Sequence, residues 1–506
     1  MNVKRILQIL ETWTANYPSL VVTLLWKVEL HYVHNGELEA SNRIMRLRAK
    51  AYSLLIDKYK AKDPDGIGVF EQEYKYCMFT FRKVHSPEKI TEIKAKKEKY
   101  NKDIKEFYAK NKEANDSVQV ENYEIQAYTF IHENIIKERS GVKSLFDVIF
   151  ANKKYDETEN RSILDILEIL AYDEEKQALC AENSIFYRIE RNHIGYHEDS
   201  LKFRGITGFD GKQHLCPFRT TYGLFYRGQK KHYSSCYSSI DRNMSDADRF
   251  GERLKETAVK CLFKNHPTTV RYNDGLQYSL PNGKKTTFVY HIDFHALAQH
   301  YGVYTNLLDL TSDKMIAAFF ACTGYNWQED KYYAYTKKGH GVFYVYRDKN
   351  IFSKDSKISC VGMQPLSRPG AQSGYVLAMN EKEDFNNLCS EAIAFTHDKV
   401  IAKQIYELVN LFGKPFVDDV MSKKAKEIVR GTLFSEDILE ETIRTFYPNT
   451  SINIINNWIG VSNISITKDS LITFTQQELE ALNIETSDTE EQLRTMVYNR
   501  VIFAFT

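Results

Sequence analysis

The chain has 506 residues and nearly balanced charge, 68 Lys and Arg against 67 Asp and Glu, for a formal net charge of +1. That balance excludes a chain-wide attraction to nucleic acid or to acidic partners, so any basic surface must be local. With 43% hydrophobic and 13% aromatic residues, the chain holds ample material for about two to four domain cores. No run approaches the ~18 apolar residues of a membrane span. The opening MNVKRILQILETWTANYPS, interrupted by Glu11 and Pro18, does not read as a signal peptide. Eight scattered cysteines without a C-x-x-C read as reduced thiols, which predicts a cytoplasmic protein with no membrane contact.

Residues 1 to about 140 read as mostly helical. Ile6, Leu7, Ile9 and Leu10 begin one amphipathic run, and Ala40 to Tyr59 carries another. Asp63-Pro64-Asp65-Gly66 is a turn. Glu88 to Asn115 is rich in Lys and Glu and reads as a solvated helix face with i,i+4 pairs. Ser162 to Ala181 predicts a further amphipathic helix. Near Ser184 the character changes to aromatics, glycines and short apolar runs. Strands are expected at Tyr222–Tyr226, Thr286–Ile292, Gly341–Tyr346 and Ser390–Phe395, with a hairpin tip at Pro281-Asn282-Gly283 and a helix over Asp398–Leu411. The tail from about Ser435 is helical around Ile438–Phe446 and Glu478–Phe505 and carries no motif with attached chemistry.

Two stretches carry chemical information. Leu224-Phe-Tyr-Arg-Gly-Gln229 closes an aromatic strand on Arg227, whose forked donors suit a phosphate or carboxylate. Gly228 then permits a turn or close ligand approach. The competing reading is a structural ion pair, with Asp309 as partner. In Ala296 to Cys322, a break at Gly302 precedes the strand Leu307–Leu310. Thr311-Ser312-Asp313 then caps a helix bearing Met315, Ile316, Phe319 and Phe320. His291 and His295 have the i,i+4 spacing of a metal face, but no H-E-x-x-H or carboxylate partner accompanies them, and no metal is expected. No P-loop or G-x-G-x-x-G occurs. Ser238, His300 and Asp309 lack the nucleophile elbow of a hydrolase, and without an acidic cluster a nuclease is poorly supported.

YRGQ (Tyr226 to Gln229), the Ser238, Ser239 and Arg242 turn, AQHYGVYTNLLDLT (Ala298 to Thr311) and Gln372-Ser-Gly374 together resemble the FRG-domain family. The resemblance covers about Ser184 to Leu411. Asn306 and Leu310 stand where the family often has Arg and Trp, and the earlier Phe203–Gly205 triplet lacks the downstream pattern. The order of elements further resembles the Arg–Ser–Glu ADP-ribosyltransferases. This implies an α+β protein: a helical region 1–183 for sensing or docking, a central ADP-ribosyltransferase-like split β-sheet module at 184–415, and a small mostly helical unit at 416–506.

The resemblance implies NAD as substrate, with Arg227, Asp309, Thr311 and Gln372 as the catalytic group and Tyr226, Gly228, Gln229, His300, Tyr301 and Ser312 as NAD-binding residues. Arg227 would hold the pyrophosphate or a ribose, Thr311 and Ser312 would anchor Arg227 and the nicotinamide pocket, and Gln372 would stand where the family strand bears Glu. Without that Glu, either Asp309 supplies the charge or the fold binds without catalysis. The implied function is a toxin or phage-defence effector acting on a protein or nucleic-acid acceptor, with regulation or self-association through the N-terminal helices. The alternative is a non-catalytic nucleotide- or nucleic-acid-binding module of a defence system.

Overall fold

The computed structural model describes residues 3–35, 38–83, 144–182, 203–207, 210–217, 223–279, 285–326, 329, 331–348, 356–362, 366–413, 415–416 and 419–484. The Lys/Glu-rich 88–115 stretch, the change of character near Ser184 and the Pro281–Gly283 tip lie outside them. The N-terminal helices are α1 (Val3–Trp13), α2 (Pro18–Asn35), α3 (Leu38–Tyr59), α4 (Ile67–Lys83), the short α5 (Leu145–Phe150) and α6 (Ile163–Glu182), of which α1, α3 and α6 lie on the expected amphipathic runs. Pro18 opens α2, where its missing N–H costs nothing. The free N–H groups of Ser19 and Leu20 donate to the buried Glu168 carboxylate of α6, at 3.2 and 2.8 Å. A carboxylate at a helix N-terminus is favoured by the helix dipole as well.

The centre is a six-stranded antiparallel sheet. Its strands are β3 (Leu224–Gln229), β6 (Leu307–Thr311), β9 (His340–Arg347), β10 (Ile358–Cys360), β11 (Gly374–Ala378) and β12 (Glu391–Thr396), in the order β10-β11-β6-β3-β9-β12. Two-stranded ladders flank it: β1 (Phe203–Thr207) with β2 (Gln213–Pro217), β4 (Leu276–Ser279) with β5 (Lys285–Phe288), and β7 (Thr323–Asn326) with β8 (Lys331–Ala334). The Phe203–Gly205 triplet lies in the first of these, away from the main sheet. Helices α7 (Asp246–Lys264), α8 (Pro267–Asp274), α9 (Phe294–His300), α10 (Lys314–Ala321), α11 (Ser367–Ala371), α12 (Phe385–Leu388) and α13 (Lys399–Phe412) connect the strands. Helix α10 begins as its sequence predicts, with the Asp313 side chain accepting the Met315 N–H at 2.8 Å.

The pleat sends alternate side chains into two cores. Tyr226, Phe343, Val345, Ile393 and Phe395 join α10, α13 and the N-terminal helices in one continuous core. Phe225, Leu308, Leu310, Tyr344 and Tyr375 form a second on the opposite face. The chain ends in α14 (Val420–Arg430), β13 (Leu433–Ser435), α15 (Glu436–Phe446), α16 (Ile452–Val461), β14 (Ser465–Thr467) and α17 (476–484). The parallel β13–β14 pair and α16 were not expected there. Much of the expected Glu478–Phe505 helix lies outside the described residues. No described helix is long and apolar enough to cross a membrane.

Candidate active site

Strand β3 pairs with β9 over six residues but with β6 at one position, Tyr226 opposite Thr311. Beyond that pair the two strands part, and a cavity of about 510 Å³ occupies the opening. Its lining includes Tyr226, Arg227, Gly228 and Gln229 from β3, Asp309 and Thr311 from β6, His300 from α9, and Gln372. Residues nearly 150 positions apart in sequence thus meet at one place. Tyr301 and Ser312, expected there too, do not line it. Tyr301 is buried against Phe263, with the Arg368 guanidinium 5.2 Å from its ring centre. Ser312 is buried and donates its backbone N–H to the Ser373 carbonyl at 3.2 Å.

The expected anchoring of Arg227 is corrected by the pleat. Directly opposed residues share a sheet face, so Thr311 stands on the Tyr226 side and Arg227 on the other. Arg227 Nη1 donates instead to the backbone carbonyl of Asp309, at 2.7 Å, across the parted strands. The Arg227–Asp309 ion pair is therefore not made. Thr311 Oγ1 donates to the Gln372 carbonyl at 2.8 Å and accepts the Asp313 N–H at 3.0 Å, so it fixes the start of α10 to the Gln372 turn. Gly228 does not form a turn. A Cβ at that position would lie 1.9 Å from the Ala317 carbonyl oxygen, so its lack of a side chain lets the α10 backbone lie against β3.

His300 is held by a directed chain of hydrogen bonds. Gln372 Nε2 donates to the Pro415 carbonyl at 3.0 Å, which turns its Oε1 toward His300 Nδ1, 3.2 Å away. Nδ1 then carries the proton. Burial is the main cause that lowers the His300 pKa, so the ring is neutral and its Nε2 bears a lone pair. That nitrogen is buried without a hydrogen-bond partner, 3.8 Å from Asp309 Oδ1, which also has none. Gly374 makes room for the ring, since a Cβ there would sit 2.8 Å from His300 Cε1. Gln372 and Gly374 are thus the support of His300. Gln372 caps α11 and precedes β11, and its amide is held at both ends, by His300 Nδ1 and by the Pro415 carbonyl.

Gln299 orients the carboxylate. It accepts from Thr305 Oγ1 at 2.6 Å and donates to Asp309 Oδ2 at 3.3 Å. Ser239 in turn ties the loop after β3 to Thr305, exchanging bonds of 3.0 and 3.1 Å. Among the described lining residues Asp309 is the one carboxylate, against the cations Arg227, Lys230 and Arg242. Tyr233, Phe320, Tyr325 and Tyr332 add aromatic wall. Sequence reasoning singles out Arg242 and Phe320 but assigns no site role to them, to Gln299 or to these tyrosines. The aromatic density of β7 and β8 was the available signal.

Other expectations resolve locally. Asn306 lies outside the lining, its Oδ1 2.7 Å from His295 Nε2, whereas Leu310 does line it. Glu391, a late-strand carboxylate that could have stood as a poorer alternative to Gln372, is buried beside Arg347 and does not line the cavity. His291, His295 and His300 go to separate partners, Asp210, Glu256 and Gln372, so they form no common metal face. Ser238 bonds Asp241 at 2.6 Å, which disposes of the Ser238–His300–Asp309 arrangement. Burial pushes the Cys322 thiol up to about 12, so it is unreactive packing.

Residues 223–330 match the family model of the FRG domain. The chain carries an FRG domain. The match runs from the start of β3 to the turn after β7, so it includes Arg227, His300 and Asp309. The Gln372–Gly374 support of the FRG domain site lies beyond it. No curated protein and no solved structure matches the chain.

Proposed function

We propose that the FRG domain binds NAD in the opening between β3 and β6 and transfers its ADP-ribosyl group to a macromolecular acceptor. One observation carries this reading. Five buried polar atoms of lining residues have no partner: Arg227 Nε, Gln229 Oε1, His300 Nε2, Asp309 Oδ1 and Thr323 Oγ1. Unpaired buried polar atoms are rare in folded proteins, and a group of them around a cavity is what a pre-formed ligand site holds. Three lining cations against one carboxylate suit an anionic ligand, and the tyrosines suit a flat base.

The facing pair selects the sugar. His300 Nε2 and Asp309 Oδ1 are both acceptors, 3.8 Å apart, so they call for a ligand that donates twice at short range. A vicinal ribose diol does this. The carboxylate would then also stabilise the positive charge that develops on the ribose as nicotinamide leaves with the bonding electron pair. Arg227, already fixed by the Asp309 carbonyl, would bind pyrophosphate. In this reading Asp309 takes the place of the family glutamate, and Gln372, Gln299 and Thr311 are positioning residues. The motif resemblance extends the proposal to a toxin or phage-defence effector, with the N-terminal helices as sensor or docking unit.

The test is nicotinamide release from NAD by the purified protein, with lysate protein and nucleic acid supplied as acceptors. The wild type is expected to release nicotinamide, and Arg227→Ala to be slower by about 10²–10³-fold with an unchanged circular dichroism spectrum. A folded wild type that releases none would replace the transferase with the non-catalytic nucleotide-binding module.

A further inference from the structure

Two residues of the β1–β2 hairpin and one remote in sequence, all absent from the cavity lining, meet in space. Asp210 lies in the hairpin turn, His214 on β2, and His291 follows β5. His214 Nε2 is 3.1 Å from Asp210 Oδ1, and His291 Nδ1 is 2.9 Å from Oδ2. The imidazoles stack at 4.1 Å between centres with 16° between planes, and the three ligating atoms lie within 4.8 Å of one another. We propose that Asp210, His214 and His291 form a binding site for a single divalent transition-metal ion of the zinc class.

Two imidazole nitrogens and one carboxylate oxygen are the donor set such ions prefer, and three protein ligands leave a fourth position for water. The backbone holds the set in place. Gln213 donates to the Val289 carbonyl at 2.9 Å and accepts the His291 N–H at 3.0 Å, which registers His214 against His291. Each histidine exposes 14 to 28% of its side chain, enough for an ion to enter. The ion would clip the hairpin to the segment leading into α9, the helix that delivers Gln299 and His300 to the cavity. The site stands independently of the NAD reading.

The full chain, stripped with a chelator, is titrated with Zn²⁺ against a chromophoric competitor and with Co²⁺ by visible absorption. The wild type is expected to take one equivalent of Zn²⁺, to show a tetrahedral Co²⁺ spectrum and to melt at higher temperature with the ion. His291→Gln and Asp210→Asn are expected to lose affinity by about 100-fold or more, with unchanged circular dichroism. His291→Gln carries the test alone if Asp210→Asn fails to fold. Absence of stoichiometric uptake by the wild type, or uptake undiminished in folded His291→Gln, would overturn the site.

Discussion

His266 begins α8 fully buried, with Nδ1 accepting the Thr268 N–H at 3.1 Å and Nε2 without a partner. Burial lowers its pKa from 6.5 to about 4. Between those values the unfolded chain binds the proton and the folded chain does not. The stabilisation is therefore complete above the unfolded value and is lost as pH falls from about 6.5 toward 4, up to about 3 kcal/mol at ~1.4 kcal/mol per pKa unit. His300 shifts in the same direction and adds to the slope. His266→Asn keeps a capping oxygen and cannot titrate, so urea melts at pH 7.5 and 5 are expected to differ less for it than for the wild type. An unchanged difference would contradict this. At the same scale, Arg227, Gln229, His300 and Asp309 could be singled out because their motifs are local, and the structure brings them to one cavity. The hydrogen bonds of Thr311 and Gln372 could not be foreseen. They depend on strand facing and on a bond to Pro415, 43 residues away.

At the scale of elements, Gly228 is the contact on which α10 and β3 depend. A methyl group there must displace the Ala317 carbonyl oxygen from 1.9 Å, and the neighbour is backbone, which cannot turn aside. Gly228→Ala is expected to destabilise by about 3 kcal/mol or more, at the upper end of overpacking effects, and to lower the melting temperature by many degrees. A variant that melts with the wild type would mean that the helix does not lie as close as described. The amphipathic helices α1, α3, α6, α13 and α15 and the β6–α10 turn could be read in advance, since apolar period and the Asp313 cap act within a few residues, whereas the 19-residue α7 was not located. The opening between β3 and β6 could not. A ladder reduced to one pair leaves no trace in a local pattern.

Across the whole molecule, the N-terminal helices are not packed apart from the sheet. Ile6, Leu25, Leu55 and Leu167 belong to the same core as Phe343, Ile393 and Phe395. Compositional change near Ser184 suggested a boundary, but composition reports neither which faces meet nor how much apolar surface they share. Removing residues 1–182 would expose one face of the central sheet and of α10. The remainder is expected to aggregate or to lose its cooperative melt, as large exposed apolar patches do. A truncated chain that melts cooperatively as a monomer would show that α13 alone covers that face.

The central claim is that the opening between β3 and β6 is a pre-formed nucleotide site, and equilibrium binding of NAD by calorimetry addresses it most directly. The wild type is expected to bind one NAD per chain, and Arg227→Ala, folded by circular dichroism, to bind at least ~10-fold more weakly through loss of its charged hydrogen bonds. Failure of the folded wild type to bind NAD, or equal affinity in the two proteins, would contradict the account.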